Sequence, residues 1–197
     1  MTDDQGVLWG LTGARRFPAS LSAMPSTTIS LAGAEEASAI AKIRVLAWQR
    51  AYRGLVPQGV LDAMNIETDT QRTRQRMLEP RRKVAEDWLL RRGGAAIGWL
   101  STGTCRDKDL SSGSIGEVFA LYVLPEAWGQ GIGHALMNFA ANRFSKLRYK
   151  TAVVWVMEGN EVAERFYERQ GYALDGTSRP LNIKDIPGKL RRFSLAL

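Results

Sequence analysis

Apolar positions along the chain switch between two periods, and the switches mark its elements. Residues 28–32 (Thr-Ile-Ser-Leu-Ala) read as a short strand. From 34 to 53 apolar residues recur at helical spacing. Ile40, Ile43, Ala47 and Ala51 form one stripe, Ala41, Val45, Trp48 and Tyr52 the next, and Gly54 is the stop. A second helix follows Pro57, and a third spans about residues 68–78 before Pro80. Residues 83–90 and 95–102 read as a hairpin turning through Arg91-Arg92-Gly93-Gly94, and the polar stretch 101–116 reads as a loop. Glu117–Leu124 is the strongest strand, and its near-continuous apolar run predicts burial on both faces. A Gly-rich segment then leads into a helix over about 131–147, with Ile132, Ala135, Leu136, Phe139 and Ala140 toward the core. Thr151–Met157 is another buried strand, Asn160–Arg169 a short helix stopped by Gly171, and 172–175 and 190–197 close the sheet. The order is strand, helices, three strands, helix, strand, helix, two strands. It predicts an α/β fold whose mixed sheet carries helices on both faces.

Residues 1–26 keep no period and mix Gly, Pro, Ser and Thr with isolated apolar residues. They read as a poorly ordered extension on a domain spanning 27–197. Met24, directly before the first strand, is a candidate alternative start.

Composition narrows the chemistry. The 197 residues are 45% hydrophobic and 24% charged, ordinary globular values that exclude wholesale disorder. The single cysteine, Cys105, excludes an intramolecular disulfide and an all-cysteine metal site; the single histidine, His134, excludes a His-rich zinc site. No metal is expected. No apolar run approaches the ~20 residues of a membrane span. The start Met-Thr-Asp-Asp is acidic where a secretory signal is basic, so a cytoplasmic protein is expected.

Two stretches carry candidate chemistry. In the first, Leu121 to Leu136, a buried strand enters a turn holding Gly129, Gly131 and Gly133, and a helix follows. Free amides at that helix start and the helix dipole suit an anion, which makes a candidate phosphate cradle. The other reading is a tight strand-to-helix connection. No P-loop string occurs, and the dinucleotide fingerprint fails in both frames, its third glycine falling on His134 or Leu136. In the second stretch, Val153 to Tyr172, Asn160 caps a helix at the same sheet edge. Tyr167 lies two turns on along that helical face, able to present its hydroxyl to a cleft, while Phe166 reads as core.

Together the two stretches resemble the GCN5-related N-acetyltransferase (GNAT) superfamily. Gln130-Gly131-Ile132-Gly133-His134-Ala135 looks like its acetyl-CoA motif, and Asn160 followed by Phe166-Tyr167 and Gly171-Tyr172 looks like its next one. The segment Ala47 to Pro57 resembles the first helix and turn of small bacterial members. The resemblance covers about residues 27–197. It implies a mixed, mostly antiparallel sheet of six to seven strands flanked by helices on both faces. It also implies transfer of an acetyl group from acetyl-CoA, as co-substrate, to an amine by direct attack, chemistry that needs neither Cys nor His.

Carried over residue by residue, the resemblance assigns the pyrophosphate to the motif opened by Gln130, on the amides of Gly131, Ile132, Gly133, His134 and Ala135. A valine at Gly133 is expected to block that cradle. The main chain of Leu121, Tyr122 and Val123 pairs with the pantetheine arm and polarises the thioester carbonyl. Asn160 hydrogen-bonds the arm, and Tyr167 protonates the leaving thiolate, a role open to a phenol with a pKa of about 10. Glu117, six residues before Val123, is the candidate base; its plain reading is a strand-end carboxylate. Glu158 is a weaker candidate, His134 is expected to touch phosphate, and Cys105 is not expected to act as a nucleophile. Trp48, Tyr52 and Trp128 are candidates to line the acceptor pocket, with Trp155 read as core.

The formal charge is +7. Eight basic residues (Arg72, Arg74, Arg76, Arg81, Arg82, Lys83, Arg91, Arg92) face three acidic ones between 72 and 92. That run reads first as a solvated face, and otherwise as an attractor for polyanionic CoA or nucleic acid. The expected acceptor is a small molecule, an antibiotic-like amine or an amino acid, with neither membrane nor nucleic acid as partner, in a monomer or homodimer. A protein N-terminal or ribosomal-protein acetyltransferase and a non-catalytic acyl-CoA-binding regulator stand as alternatives.

Overall fold

The computed structural model describes residues 26–79, 85–110, 114–183 and 186–197. The expected extension, apart from Ser26, lies outside them, as do Met24, Pro80, Arg81, Arg82 and Lys83. The elements are β1 (Thr27–Leu31), α1 (Ala37–Ala51), α2 (Gln58–Asp62), α3 (Ile66–Leu78), β2 (Ala85–Arg92), β3 (Ala95–Thr104) and β4 (Ile115–Val123). Then follow α4 (Ile132–Lys146), β5 (Thr151–Met157), α5 (Glu161–Arg169), β6 (Ala173–Pro180) and β7 (Lys189–Ala196). The predicted order of strands and helices holds. One seven-stranded sheet has the order β1-β2-β3-β4-β5-β7-β6, and every neighbouring pair is antiparallel except β4–β5. Among the described residues no helix is long and apolar enough to cross a membrane.

Two local expectations are corrected. Arg91 and Arg92 belong to β2, which carries a bulge at Leu90/Arg91, so the hairpin turns on Gly93-Gly94 alone. The stretch 101–116 is not all loop: β3 continues through Thr104, and Ser101 and Thr102 are buried. Ladder hydrogen bonds to strands on both sides hold this polar segment extended where its composition suggests a loop.

Each sheet face has its own core. On one, α4 and α5 pack Ile132, Leu136, Phe144 and Tyr167 against Leu100, Val118, Val154 and Phe193. On the other, α1 packs Ile40 and Ile43 against Leu89, Trp99 and Leu124. The polar helix α3 rests on α1; Asn65 caps it by accepting from Thr68 N–H at 3.0 Å, and its Asp69 pairs with Arg44.

The sheet is not zipped along its whole length. β4 and β5 pair only through Ile115–Val118 against Thr151–Val154. Next in β4 comes Phe119, the extra residue of a bulge: Ser101 pairs with Ala120 and Thr102 with Val118. A bulge bends its strand and increases the local twist. β4 therefore turns away while β5 stays paired to β7 as far as Met157. The expected two-sided burial of β4 holds for Ile115–Val118, whereas Phe119–Val123 are half-buried.

Candidate active site

The wedge left by the splayed strands opens into a cavity of about 820 Å³. Its walls are the far halves of β4 and β5, the turn before α4, one side of α5 and the end of α1. Because α4 and α5 lie on one face and α1 on the other, the cavity passes through the plane of the sheet.

At one mouth stands the α4 N-terminus. Gly131 is its N-cap with φ 77°, a left-handed conformation that a side chain resists, and no side chain caps the helix. The amides of Gly131, Ile132, Gly133 and His134 have no partner among the described residues. The Ala135 amide, expected to be free, is not: it donates to the Gly131 carbonyl at 3.0 Å, the first bond of the helix. Gly133 carries a second constraint. A Cβ there would lie 3.2 Å from the Phe166 ring, so its bareness also serves the approach of α4 to α5. Gln130 does not line the cavity. Its oxygen accepts from Arg92 at 2.5 Å and its amide donates to the Glu126 carbonyl at 2.8 Å, which fastens the turn to β2. The His134 ring is occupied by Gln170 (2.9 Å) and Asn138 (3.0 Å) and ties α4 to the end of α5. Its amide, not its imidazole, is what the turn leaves free.

Along the wedge, Leu121, Tyr122 and Val123 pair with β3 on one side only. The Trp128 indole N–H donates to the Val123 carbonyl at 2.8 Å, and the ring, 41% exposed, lines the cavity. Tyr122 points to the α1 face and stacks on Trp99, ring centroids 5.6 Å apart.

Where the cavity crosses the sheet, polar groups converge. Asn160 caps α5, its side-chain oxygen accepting from Ala163 N–H at 3.2 Å, and its amide reaches the Tyr52 hydroxyl. Tyr52 in turn meets Tyr122, and burial followed by that neighbour raises its pKa. Tyr167 is buried against Phe166 and Tyr172 at ring distances of 5.2 and 5.9 Å. Burial, then the neighbouring Tyr122 and Tyr172, push its phenol well above the usual range, so it holds its proton at neutral pH. Trp48 packs against Tyr52, ring centroids 4.4 Å apart and planes tilted by 38°, and stands behind the wall, so Tyr52 and Trp128 line the cavity and Trp48 supports it. Trp155, expected as core, is a half-buried wall residue: Arg179 lies over its ring at 3.9 Å and its indole N–H donates to Asp107 at 2.9 Å. Phe166, also expected as core, is half-buried and reaches the cavity.

Glu117 sits in the zipped part of β4, buried, and does not line the cavity. Its carboxylate accepts from the Arg106 backbone N–H at 3.2 Å and its guanidinium at 3.4 Å. Burial raises its pKa and Arg106 opposes the rise. That guanidinium also stacks on Phe119 at 4.0 Å, and Phe119 does face the cavity. Glu158 is exposed at the end of β5, outside the lining. Burial raises the Cys105 pKa and keeps it a thiol. Among the described residues of the basic run, Arg76 lies over Trp99, Arg91 pairs with Glu36 and Arg92 holds Gln130.

Sequence reading missed Arg50, Arg169 and Gln170 in the lining. Arg50 was within reach, since it follows Ala47 by three and precedes Ala51 on one helical face. Arg169 and Gln170 enter only because α5 lies across the wedge.

The acetyltransferase (GNAT) family model matches residues 48–172. The "Uncharacterized N-acetyltransferase YuaI" of Bacillus subtilis (strain 168) is 30% identical over 133 residues, 68% of this chain and 73% of that protein. A mycothiol acetyltransferase of Streptomyces avermitilis is 34% identical over 110 residues, covering 52% of this chain but only 33% of that enzyme. Among solved structures, the PaiA N-acetyltransferase from Thermoplasma acidophilum in complex with coenzyme A superposes with a TM-score of 0.69. It has 15% identity and shares 87% of this chain and 99% of that one, a likeness of fold.

Proposed function

The chain belongs to the acetyltransferase (GNAT) family, a family of acyltransferases, and from that premise we propose that it moves an acetyl group from acetyl-CoA to the primary amine of a small molecule. The observation that carries this reading is the cavity running from the uncapped α4 N-terminus to a cluster of protonated phenols. The residues fit the co-substrate. The four free amides and the helix dipole suit a pyrophosphate, and the one-sided edge of β4 suits an extended amide-bearing arm.

In this reading Gly131, Ile132, Gly133 and His134 hold the pyrophosphate through their amides. Leu121–Val123 and Asn160 align the arm, and the β4 main chain polarises the thioester carbonyl. The amine nitrogen bonds to the acetyl carbon, the carbon–sulfur bond breaks, and Tyr167 gives its proton to the sulfur. The amine's surplus proton leaves through water to Glu117, since the Glu117 carboxylate does not touch the cavity. The cavity volume and the mycothiol acetyltransferase relatives support a small acceptor over a protein chain.

The test is acetyl-CoA titration together with CoA release across a panel of amines and peptide N-termini. Saturable binding and amine-dependent release are expected, with release lost and binding kept in Tyr167→Phe. Tight binding without release on any acceptor would overturn catalysis in favour of an acyl-CoA-binding regulator.

A further inference from the structure

Two arginines, both exposed, are among the residues lining the cavity, and they stand on opposite sides of the sheet. Arg169 closes α5 beside Gln170, which is bonded to His134 on α4, so it belongs to the mouth with the free amides. Arg50 comes from the last turn of α1, on the other face, beyond the three tyrosines. The arginines near it on α1 and just after it are engaged: Arg44 pairs with Asp69, and Arg53 donates to the Gln49 carbonyl at 3.0 Å. Arg50 has no hydrogen-bond or ion-pair partner among the described residues. No Asp or Glu is found among the described residues lining the cavity.

This arrangement constrains the acceptor. A free guanidinium at the amine's entrance repels an acceptor whose only charge is its ammonium. An acceptor that also carries a carboxylate reverses the sign, because Arg binds carboxylates in a fork of two charge-assisted hydrogen bonds. The same cation lowers the pKa of a nearby amine, which favours the neutral form that attacks. Apart from the Asn160 amide at Tyr52, the rest of this end is apolar or aromatic: Ala47, Ala51, Tyr52, Trp155 and Met157.

On the acetyl-transfer reading above, we propose that the acceptor is a free amino acid with an apolar or aromatic side chain, seated with its carboxylate on Arg50 and its amine toward Tyr52 and Tyr167. Arg50 is then a specificity-determining residue.

The experiment measures CoA release with a panel of apolar and aromatic L-amino acids. Each is paired with its decarboxylated amine, phenylalanine with phenethylamine for instance, and N-terminally free peptides are run alongside. Acetyl-CoA affinity is titrated separately. At least one amino acid should exceed its decarboxylated partner by tenfold or more in kcat/KM. Arg50→Ala should cut that ratio below threefold through KM, Arg50→Lys should restore part of it, and acetyl-CoA affinity should be unchanged in both. The proposal is overturned if decarboxylated amines or peptides are used as well or better, or if the ratio survives Arg50→Ala. Failure of acetyl-CoA to bind the wild-type protein would instead overturn the acetyl-transfer reading itself.

Discussion

β4 performs two jobs along nine residues, and its two halves show how differently they are built. From Ile115 to Val118 it is paired on both sides, buried, and pressed by α4 so closely that a Cβ at Gly116 would come within 2.6 Å of the Phe144 ring. From Phe119 to Val123 it is paired on one side, half-buried, and open to a cavity. One bulged residue separates a half that uses its hydrogen-bonding edge for stability from a half that leaves its edge for a ligand. Glu117 apart, mutations in the first should cost stability and spare turnover; those around the second should do the reverse.

That contrast can be broken, most sharply at Tyr167. Tyr167→Phe should lower kcat about 10²–10³-fold with acetyl-CoA affinity kept, as read by steady-state kinetics and calorimetry. An unchanged kcat would remove the phenol from the chemistry. Glu117→Gln should lower kcat/KM at neutral pH about 10²-fold. In the wild type, burial raises the Glu117 pKa, so the acid limb of kcat/KM should fall above the ordinary carboxylate range and disappear in the variant. The stability sign is opposite. A raised folded pKa means that ionisation costs the folded state, a cost that grows as pH rises through that value. Glu117→Gln should therefore melt no lower than wild type at pH 7. A lower melting temperature would make Glu117 a structural carboxylate after all.

Gly116→Ala tests the zipped half. Its methyl group meets the Phe144 ring, and overpacking of this kind costs about 1–3 kcal/mol. Denaturant unfolding should register the loss while kcat per folded molecule stays at the wild-type value. The smallest effect is expected at Asn160→Ala. Loss of the α5 cap costs about 1 kcal/mol, and the freed Tyr52 should raise the acetyl-CoA KM before it touches stability further.

The order of elements was legible because hydrophobic period reports directly on whether a segment is helix or strand. Gly103 and Thr104 were not, since their place in β3 is decided by neighbouring strands rather than by their own polarity. At the site, residue types were legible and their use was not. Whether Ala135 or His134 offers the last free amide turns on where the first helical bond falls, a matter of one residue that sequence cannot place. Gln130 and Gly133 were found as parts of a motif, but their tasks, holding Arg92 and admitting Phe166, depend on elements far away in the chain. The splay itself has no signature, because nothing in Val118-Phe119-Ala120 announces a bulge.

Seen mechanically, the sheet is two leaves, β1–β4 and β5–β7, bound along a spine of four paired residues. A ligand that lies between β4 and β5 lengthens that spine. Occupancy should thus be felt as stiffness between the leaves: amide exchange at Leu121–Val123 slows.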